Sequence, residues 1–245
     1  MARILFVTGT DTGVGKTLVT ASLLYYLRHR AAASLKGRAR LSQSGARVLA
    51  MKPFCSGSRA DLRLIQAIQS GAMPDEQANP YFFRASVAPL VAARALGKRI
   101  SLDEVLRQIA NIGARCEHLI VEGAGGLLAP LGEGPSGKPF SAADLITELN
   151  CGVCLVAANK LGVINHTSLT VRALQNAGVN GIRIVLSQTS WRADASVKTN
   201  ATVISELLAP NPVIPLPYFG PRASTVESIE RRQRKTAAVW QKILK

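Results

Sequence analysis

At 245 residues and 47% hydrophobic content, the chain is long enough to bury a sizeable core, and one α/β domain over residues 1–245 is expected. No stretch is apolar over the length of a membrane span and no signal-peptide pattern precedes the first motif, so we expect a cytoplasmic protein without a membrane partner. Much of the formal net charge of +15 lies in residues 28–47 and 231–245. Because no aromatic residues are interleaved there in a stacking pattern, we expect no nucleic-acid partner.

The first predicted element is a strand at residues 4–7, which leads through a glycine-rich loop into a helix predicted over residues 18–27. The loop, GTDTGVGKT at residues 9–17, is a variant of the P-loop pattern G-x-x-x-x-G-K-[ST] whose first glycine lies one position early. Backbone N–H groups of such a turn and the positive end of the helix dipole bind phosphate. Lys16 would reach the β- and γ-phosphates and the Thr17 hydroxyl would hold Mg²⁺, so the sequence predicts a nucleotide-phosphate site.

Residues 31–45 are rich in Ala, Ser, Gly and basic residues and predict an extended loop before a second strand at residues 47–51. That strand leads to Lys52, and Ser56 follows shortly after it. Ligands bind outside the carboxyl ends of strands in open α/β sheets, so both residues are candidates for a binding site by position. A lysine before proline is also an ordinary surface residue, and its position alone favours that interpretation.

Two helices are predicted at residues 61–70 and 86–96, and an irregular aromatic segment at 79–83 separates them. Apolar residues recur at helical spacing in the first of these helices, which predicts one buried face. A further helix is predicted to begin at Ser101, where Glu104 would complete a capping box.

A third predicted strand, at residues 119–121, leads to Glu122 and to a glycine-rich bend at residues 123–126. NTPases place a metal-side acid at the end of such a strand, whereas a turn-capping glutamate is the simpler alternative. With a P-loop upstream, we favour the metal role. The Gly- and Pro-rich segment 130–139 predicts a flap over the site.

Strands and helices alternate through the rest of the chain, which predicts one mostly parallel sheet with helices on both faces, the P-loop NTPase type of α/β fold. Cys151 and Cys154 belong to an apolar run and are expected to pack in the core. The remaining predictions are a helix capped by Ser141 and Asp144, strands at 153–158, 182–186 and 213–215, helices at 167–177 and 197–208, and a final helix opening with Ser224 and Glu227.

Five groups of residues follow one another in a fixed order along the chain. They are Val7–Thr17, Lys52-Pro53 with Ser56-Gly57, Asn79-Pro80-Tyr81, Val121–Gly126, and Lys160-Leu161-Gly162 with Ile164-Asn165-His166. One group alone is a weak signal, but the ordered set resembles the dethiobiotin synthetase family from residue 3 to about residue 220.

The resemblance implies an ATP- and Mg²⁺-dependent ligase that joins CO₂ to 7,8-diaminononanoate (7,8-diaminopelargonate) and closes a cyclic urea. In the family, one amine captures CO₂ as a carbamate, and the carbamate oxygen attacks the γ-phosphate to form a carbamic-phosphoric anhydride. The second amine then closes the ring and expels phosphate. Because carbamate and triphosphate are both anions, cations must neutralise the developing charge. The resemblance also implies a homodimer with the site at its interface.

The same resemblance implies site residues one by one. Lys16 and Lys52 would supply catalytic positive charge, and the oxygen donors of Thr17, Asp61 and Glu122 would bind Mg²⁺. Thr12 and Ser56 would lie along the diamine and carbamate. The segment Gly162, Val163, Ile164 and Asn165 would bind the substrate carboxylate across the dimer interface, with His166 structural. The implied nucleotide-binding residues are Gly13, Val14, Gly15, Lys16, Thr17, Leu18, Asp61, Glu122, Gly123, Ala124, Gly125, Ser187, Gln188, Pro215, Leu216 and Pro217.

The chain departs from the family pattern at three points. Gly13 stands where the family often has an acidic residue, although glycine also occurs there. Ser187, with Gln188 beside it, stands where the family commonly has Asn against the nucleotide base. A hydroxyl matches the edge of adenine less selectively than an amide does, so phosphate binding is more strongly implied than a preference for ATP. The third departure is the basic segment 31–45, for which the sequence suggests no function.

An alternative function is that of a partition- or positioning-type P-loop ATPase, which binds DNA or membrane and which a charge of +15 would suit. Such proteins usually carry an additional lysine early in the P-loop, where this chain has Thr10, Asp11 and Thr12. The ATP domain of a cobyrinic-acid amide synthase is a closer enzymatic alternative, but that family adds a glutaminase domain for which this length leaves no room. We therefore favour the dethiobiotin synthetase interpretation.

Overall fold

A six-stranded parallel sheet forms the centre of the molecule. The computed structural model describes residues 2–34, 48–192, 194–221 and 223–244. The strands are β1 (Arg3–Gly9), β2 (Val48–Met51), β3 (Phe54–Ser56), β4 (Tyr81–Phe83), β5 (His118–Glu122), β6 (Gly132–Glu133), β7 (Pro139–Phe140), β8 (Gly152–Ala158), β9 (Ile182–Ser187) and β10 (Val213–Leu216).

The helices connect these strands. They are α1 (Lys16–Ser34), α2 (Ala60–Gln69), α3 (Asp75–Ala78), α4 (Pro89–Ala95), α5 (Leu102–Gly113), α6 (Ala142–Leu149), α7 (Val163–Asn176), α8 (Val197–Leu207) and α9 (Val226–Leu244). No helix among the described residues is long and apolar enough to cross a membrane.

The strand order in the main sheet is β10-β9-β8-β1-β5-β2, and every neighbouring pair is parallel. The chain builds β2 and β5 on one side of β1, then crosses over to build β8, β9 and β10 on the other side. The connections after β1 and β5 therefore diverge and leave a crevice at the carboxyl edge of the sheet, which is where ligands bind in such folds. The predicted fold class, an α/β fold with a parallel sheet, is confirmed.

Alternate residues of the buried strands face two helical layers. Phe6 of β1 belongs to the core beneath α5, α6, α7 and α8, whereas Val7 belongs to the core beneath α1, α2 and α9. Cys154 is fully buried in the second core and Cys151 packs against the first, so the predicted core position of this pair is confirmed. Helices thus cover both faces and leave the strand ends to form the site.

Several predicted helix boundaries are wrong. Residues 31–34 belong to α1 rather than to a loop, because their alanines favour helix; residues 35–45 lie outside the described residues. The helix predicted over 86–96 begins only at Pro89, a residue suited to the first helical position. Helix α7 begins at Val163, earlier than predicted. The last helix begins at Val226, where Thr225 Oγ1 accepts from Ser228 N–H at 3.2 Å.

The two predicted capping boxes have different outcomes. Ser141 and Asp144 form the full reciprocal box at the start of α6. Ser101 is the N-cap residue of α5 but makes no side-chain cap hydrogen bond, and Glu104 instead accepts from Gln108 Nε2 at 3.4 Å. The capping box predicted at Ser101 was therefore wrong, because the side chain of Glu104 contacts Gln108 along the helix instead of the backbone of Ser101.

Two short pairs of strands lie beside the main sheet. Residues 81–83, predicted as irregular, form β4 and pair in parallel with β3. The segment predicted as a flap contains the antiparallel pair β6 and β7. Glu133 of this pair forms ion pairs with Arg94 and Arg99, so the pair is fixed against α4 and the loop that follows it. None of residues 130–139 is among those lining the main cavity, and the flap prediction was wrong.

Candidate active site

The P-loop lines a cavity of about 670 Å³ at the carboxyl edge of the sheet. Gly13 and Gly15 have φ angles of +74° and +103°, which favour glycine. Gly9 meets a different demand, since an added Cβ there would lie 2.8 Å from Val14 Cγ2 and 3.1 Å from Lys16 Nζ. The early first glycine of the loop therefore allows Lys16 to fold back across the backbone.

Two loops hold Lys16, the P-loop itself and the glycine-rich bend after β5. Its ammonium donates to the backbone oxygens of Asp11 and Gly125, both at 2.6 Å, and the residue is 7% exposed. Burial lowers the pKa of Lys16 to about 8, with repulsion from Lys52 in the same direction and attraction from Glu122 opposing it. The group is thus a buried cation at the position predicted for phosphate, and its hydrogen-bond partners in the described part of the chain are neutral carbonyl oxygens.

Lys52 lies in the same cavity, between the carboxylates of Glu122 and Asp61. Its Nζ donates to Glu122 Oε1 at 2.7 Å and also contacts Asp61 Oδ2. Burial alone would lower the pKa of Lys52, but the attraction of Glu122 and Asp61 outweighs it and raises the pKa above the ordinary value. The sequence could not show this, because position alone favoured a surface lysine, whereas Lys52 is 7% exposed.

The three residues predicted to bind Mg²⁺ come together in this cavity. Thr17 Oγ1 donates to Glu122 Oε1 at 2.7 Å, and Asp61 reaches the same group through Lys52. Glu122 Oε2 is buried without a hydrogen-bond partner among the described residues, so one carboxylate oxygen is available for a cation. No group of three or more His, Cys, Asp or Glu residues that could hold a metal occurs in the described part of the chain. Two carboxylates and a hydroxyl, completed by water or phosphate, fit Mg²⁺.

Several small hydroxyl residues line the cavity. Thr12 and Ser56, the predicted substrate residues, both line it, and Ser56 Oγ is buried without a partner among the described residues. Ser58 and Ser86 line it as well and were not predicted. A Cβ at Gly57 would lie 2.2 Å from Ser86 Oγ, so the glycine lets the two loops meet. In the sequence, Gly57 was the one indication that the loop after Ser56 packs closely against the loop that carries Ser86.

A second cavity, of about 350 Å³, adjoins the first and shares Gly15, Leu18 and Ser224 with it. Ser187 and Gln188 line it as predicted by position, and a Cβ on Gly15 would lie 2.8 Å from Ser187 Oγ. Pro215, Leu216 and Pro217 do not line it; Leu216 pairs with Ser187 inside the sheet. The wall is instead formed by residues that were not predicted to belong to a binding site, which are Thr189, Tyr218, Phe219, Gly220, Pro221, Ala223, Ser224 and Thr225.

Of the other predicted site residues, some line the main cavity and others do not line either cavity. Ala124 and Gly125 line the main cavity, whereas Val14 is buried beneath the loop and Gly123 packs against Phe6. Residues 162–165 are not among the residues that line either cavity. Gly162 has a φ angle of +91° and caps α7, Val163 is buried in the core, and His166 is exposed. The contact of residues 162–165 with substrate stays a prediction that depends on a second copy of the chain.

Comparison with known proteins gives consistent results. A family model described as an AAA domain matches residues 3–215. The ATP-dependent dethiobiotin synthetase BioD of Anaeromyxobacter dehalogenans (strain 2CP-C) is 40% identical over 220 residues, which cover 88% of this chain and 90% of that protein. The protein of the same name from Bacillus subtilis (strain 168) is 36% identical over 210 residues, covering 84% and 83%.

Among solved structures, the MinC:MinD cell division protein complex of Aquifex aeolicus is similar in fold alone. The TM-score is 0.53 at 15% identity, and the match covers 99% of this chain and 92% of that chain. The sequence matches to the synthetases are much closer and span most of both chains. The chain therefore belongs to the ATP-dependent dethiobiotin synthetase family.

Proposed function

We propose that the protein closes the cyclic urea of dethiobiotin from 7,8-diaminononanoate and CO₂, with ATP converted to ADP and phosphate. The observation that carries this proposal is the pair of buried ammonium groups, Lys16 and Lys52, in one cavity with Glu122 between Thr17 and Lys52. A carbamate that attacks a triphosphate brings anions together, and fixed cations on both sides suit that charge. Because ATP is kept in the cytoplasm, we propose that compartment.

Lys16 and Lys52 would divide the electrostatic work. Lys16 is anchored in the P-loop and would lie against the triphosphate, where phosphate oxygens would replace the carbonyl oxygens of Asp11 and Gly125 as its partners. Lys52 keeps its charge because its pKa is raised, so it would act as a fixed cation and not as a proton donor or acceptor. In that role it would attract the carbamate oxygen and stabilise the carbamic-phosphoric anhydride electrostatically. Thr17, Asp61 and Glu122 would hold Mg²⁺, which would neutralise charge on the phosphates.

The hydroxyl-lined side of the cavity would bind the diamine. Ser56 Oγ, buried and without a described partner, is available to an amine or a carbamate oxygen, and Thr12 lines the same cavity. The substrate carboxylate would reach residues 162–165 of a second copy, so we propose a homodimer whose interface contributes to the site. The cavity beside Ser187 and Gln188 would take the nucleotide base.

The proposal is tested by phosphate release from ATP and Mg²⁺ with the diamine and bicarbonate present together, each alone, or neither. Release should require both additions. Release that ignores the diamine but rises with DNA would overturn the proposal and indicate a partition-type ATPase.

A further inference from the structure

Basic residues from several elements come together at one edge of the sheet. Helices α1 and α9 lie side by side, and Gln233 Nε2 donates to Ser22 O between them at 2.8 Å. The carboxyl-terminal halves of both helices line a cavity of about 560 Å³ at the amino edge of the sheet, opposite the P-loop. Their contributions to this cavity are Leu27, Arg30, Ile243 and Leu244. Cations that are distant in sequence thus become neighbours.

Six basic residues, which we call the basic face, surround this edge and continue along α9. Arg3 and Arg183 line the same cavity as Arg30, and Lys242 lines an adjoining cavity with Arg183. None of the six makes an ion pair with an acid in the described part of the chain. The members are Arg3, Arg30, Arg183, Arg231, Lys235 and Lys242.

The geometry of α9 presents three of these charges in a row. Arg231, Lys235 and Lys242 are exposed, and the helical rise separates them by about 6 Å and about 10 Å along the axis. Two exposed acids, Glu227 and Glu230, precede Arg231 on α9, whereas no acid follows it on the helix, so positive charge predominates from Arg231 to Lys242.

We propose that the basic face binds the phosphate backbone of a nucleic acid without reading its bases. A row of unpaired cations suits a regularly spaced polyanion, whose binding releases counterions. An anionic membrane fits less well, because none of the large exposed apolar side chains of the described residues belongs to α1 or α9. Base stacking fits less well too, since Trp240, the aromatic residue of α9, is fully buried.

This partner differs from the sequence-based expectation of none. The sequence shows basic residues in separate segments, whereas the fold brings Arg3, Arg30, Arg183 and Lys242 together at the amino edge of the sheet, and α9 carries the positive charge back from that edge along its exposed side.

The test is fluorescence anisotropy of a labelled DNA duplex of about 20 base pairs, titrated with the full chain between about 50 and 200 mM salt. The test variant carries Arg231→Glu, Lys235→Glu and Lys242→Glu. The matched control carries Lys98→Glu, Arg107→Glu and Lys138→Glu, three exposed cations on α5, the loop before it and the β6–β7 turn, with the same change in net charge. Circular dichroism melting checks folding, and a Gln version of the test triple replaces the Glu version if that fails to fold.

We expect the unaltered chain to bind at low salt, and the test triple to bind at least about tenfold more weakly than the control triple. Loss of three phosphate contacts should also reduce the slope of log affinity against log salt by about 2 to 3. No binding at low salt, or equal weakening by the two triples, would overturn the proposal. Binding to phosphatidylserine vesicles but not to the duplex would overturn it in favour of a membrane.

Discussion

The ammonium of Lys52 lies 2.7 Å from Glu122 Oε1 and also contacts Asp61, inside a cavity that excludes most water from it. Lys16, in the same cavity, donates to carbonyl oxygens and to no other group among the described residues. The pKa of Lys52 is therefore raised while that of Lys16 falls to about 8. Two lysines that look alike in sequence thus differ in chemistry: Lys52 is a permanent cation, and Lys16 can lose its proton at mildly alkaline pH.

Replacing Lys52 by Met should lower kcat at least about 100-fold while changing the Kd for ATP less than about threefold, because its charge acts on the carbamate side. Stopped-assay kinetics and calorimetric ATP binding measure the two quantities. Lys98→Met, which removes an exposed cation, serves as the control. Turnover close to that of the unaltered enzyme would show that Lys52 is not needed for charge stabilisation.

Nucleotide binding should take up protons through Lys16 at alkaline pH. With a pKa of about 8 in the free protein, part of Lys16 is neutral at about pH 8.5, and a bound triphosphate favours its charged form and raises that pKa. The affinity should therefore be highest below pH 8 and fall as pH rises above it. Calorimetry at about pH 8.5 in two buffers of different ionisation enthalpy measures the uptake, which should approach zero at pH 7.

Lys16→Met should remove this proton uptake together with most of the affinity for nucleotide. Identical binding heats in the two buffers with the unaltered enzyme would contradict the depressed pKa of Lys16.

At the scale of elements, the P-loop depends on its contact with the end of β9. Gly13 and Gly15 both have positive φ angles, so alanine is strained at either position. Only Gly15 faces a neighbour, since a Cβ there would lie 2.8 Å from Ser187 Oγ, whereas a Cβ at Gly13 would meet nothing within 4 Å. Alanine substitutions at the two positions therefore distinguish the cost of backbone strain from the cost of a clash with Ser187.

Gly15→Ala should weaken ATP binding at least about tenfold more than Gly13→Ala, because the clash with Ser187 adds to a similar backbone cost. Calorimetric titration of both variants gives the comparison. The double variant Gly15→Ala with Ser187→Gly should recover part of the difference. Equal losses in the two single variants would mean that the β9 contact does not hold the P-loop.

Helix caps give a second matched pair of elements. Ser141→Ala should cost about 1 kcal/mol of unfolding free energy, because Ser141 forms a complete capping box on α6. Ser101→Ala should cost less than about 0.5 kcal/mol, because Ser101 makes no cap hydrogen bond on α5. Urea unfolding of both variants measures these values, and equal costs would contradict the difference between the caps.

At the scale of the whole molecule, the residues that could be predicted are those whose chemistry is local in sequence. The P-loop joins strand, turn and helix within one continuous stretch, and Glu122 follows a buried strand directly, so both were found at the cavity as expected. The alternation of apolar strands with helices also predicted the parallel sheet, which the structure confirms. The family resemblance is confirmed by the curated relatives.

What could not be predicted depends on contacts between distant segments. The wall of the second cavity, which includes Tyr218 and Phe219, carries no nucleotide-binding motif, and it lies beside Gly15 because β10, which precedes it, pairs with β9 up to Ser187. The pairing of β3 with β4 involves strands of three residues each, too short for a periodic signal. The burial of Lys52 likewise depends on Glu122, whose carboxylate accepts from it but lies 70 residues away in the chain.

The central claim, ring closure with CO₂ at this site, is tested most directly with ¹³C-labelled bicarbonate. The enzyme is incubated with ATP, Mg²⁺, 7,8-diaminononanoate and the label, and the products are analysed by mass spectrometry. We predict dethiobiotin heavier by the single labelled carbon, formed in step with phosphate release and absent with Lys52→Met. Phosphate released without any labelled cyclic urea would contradict the claim.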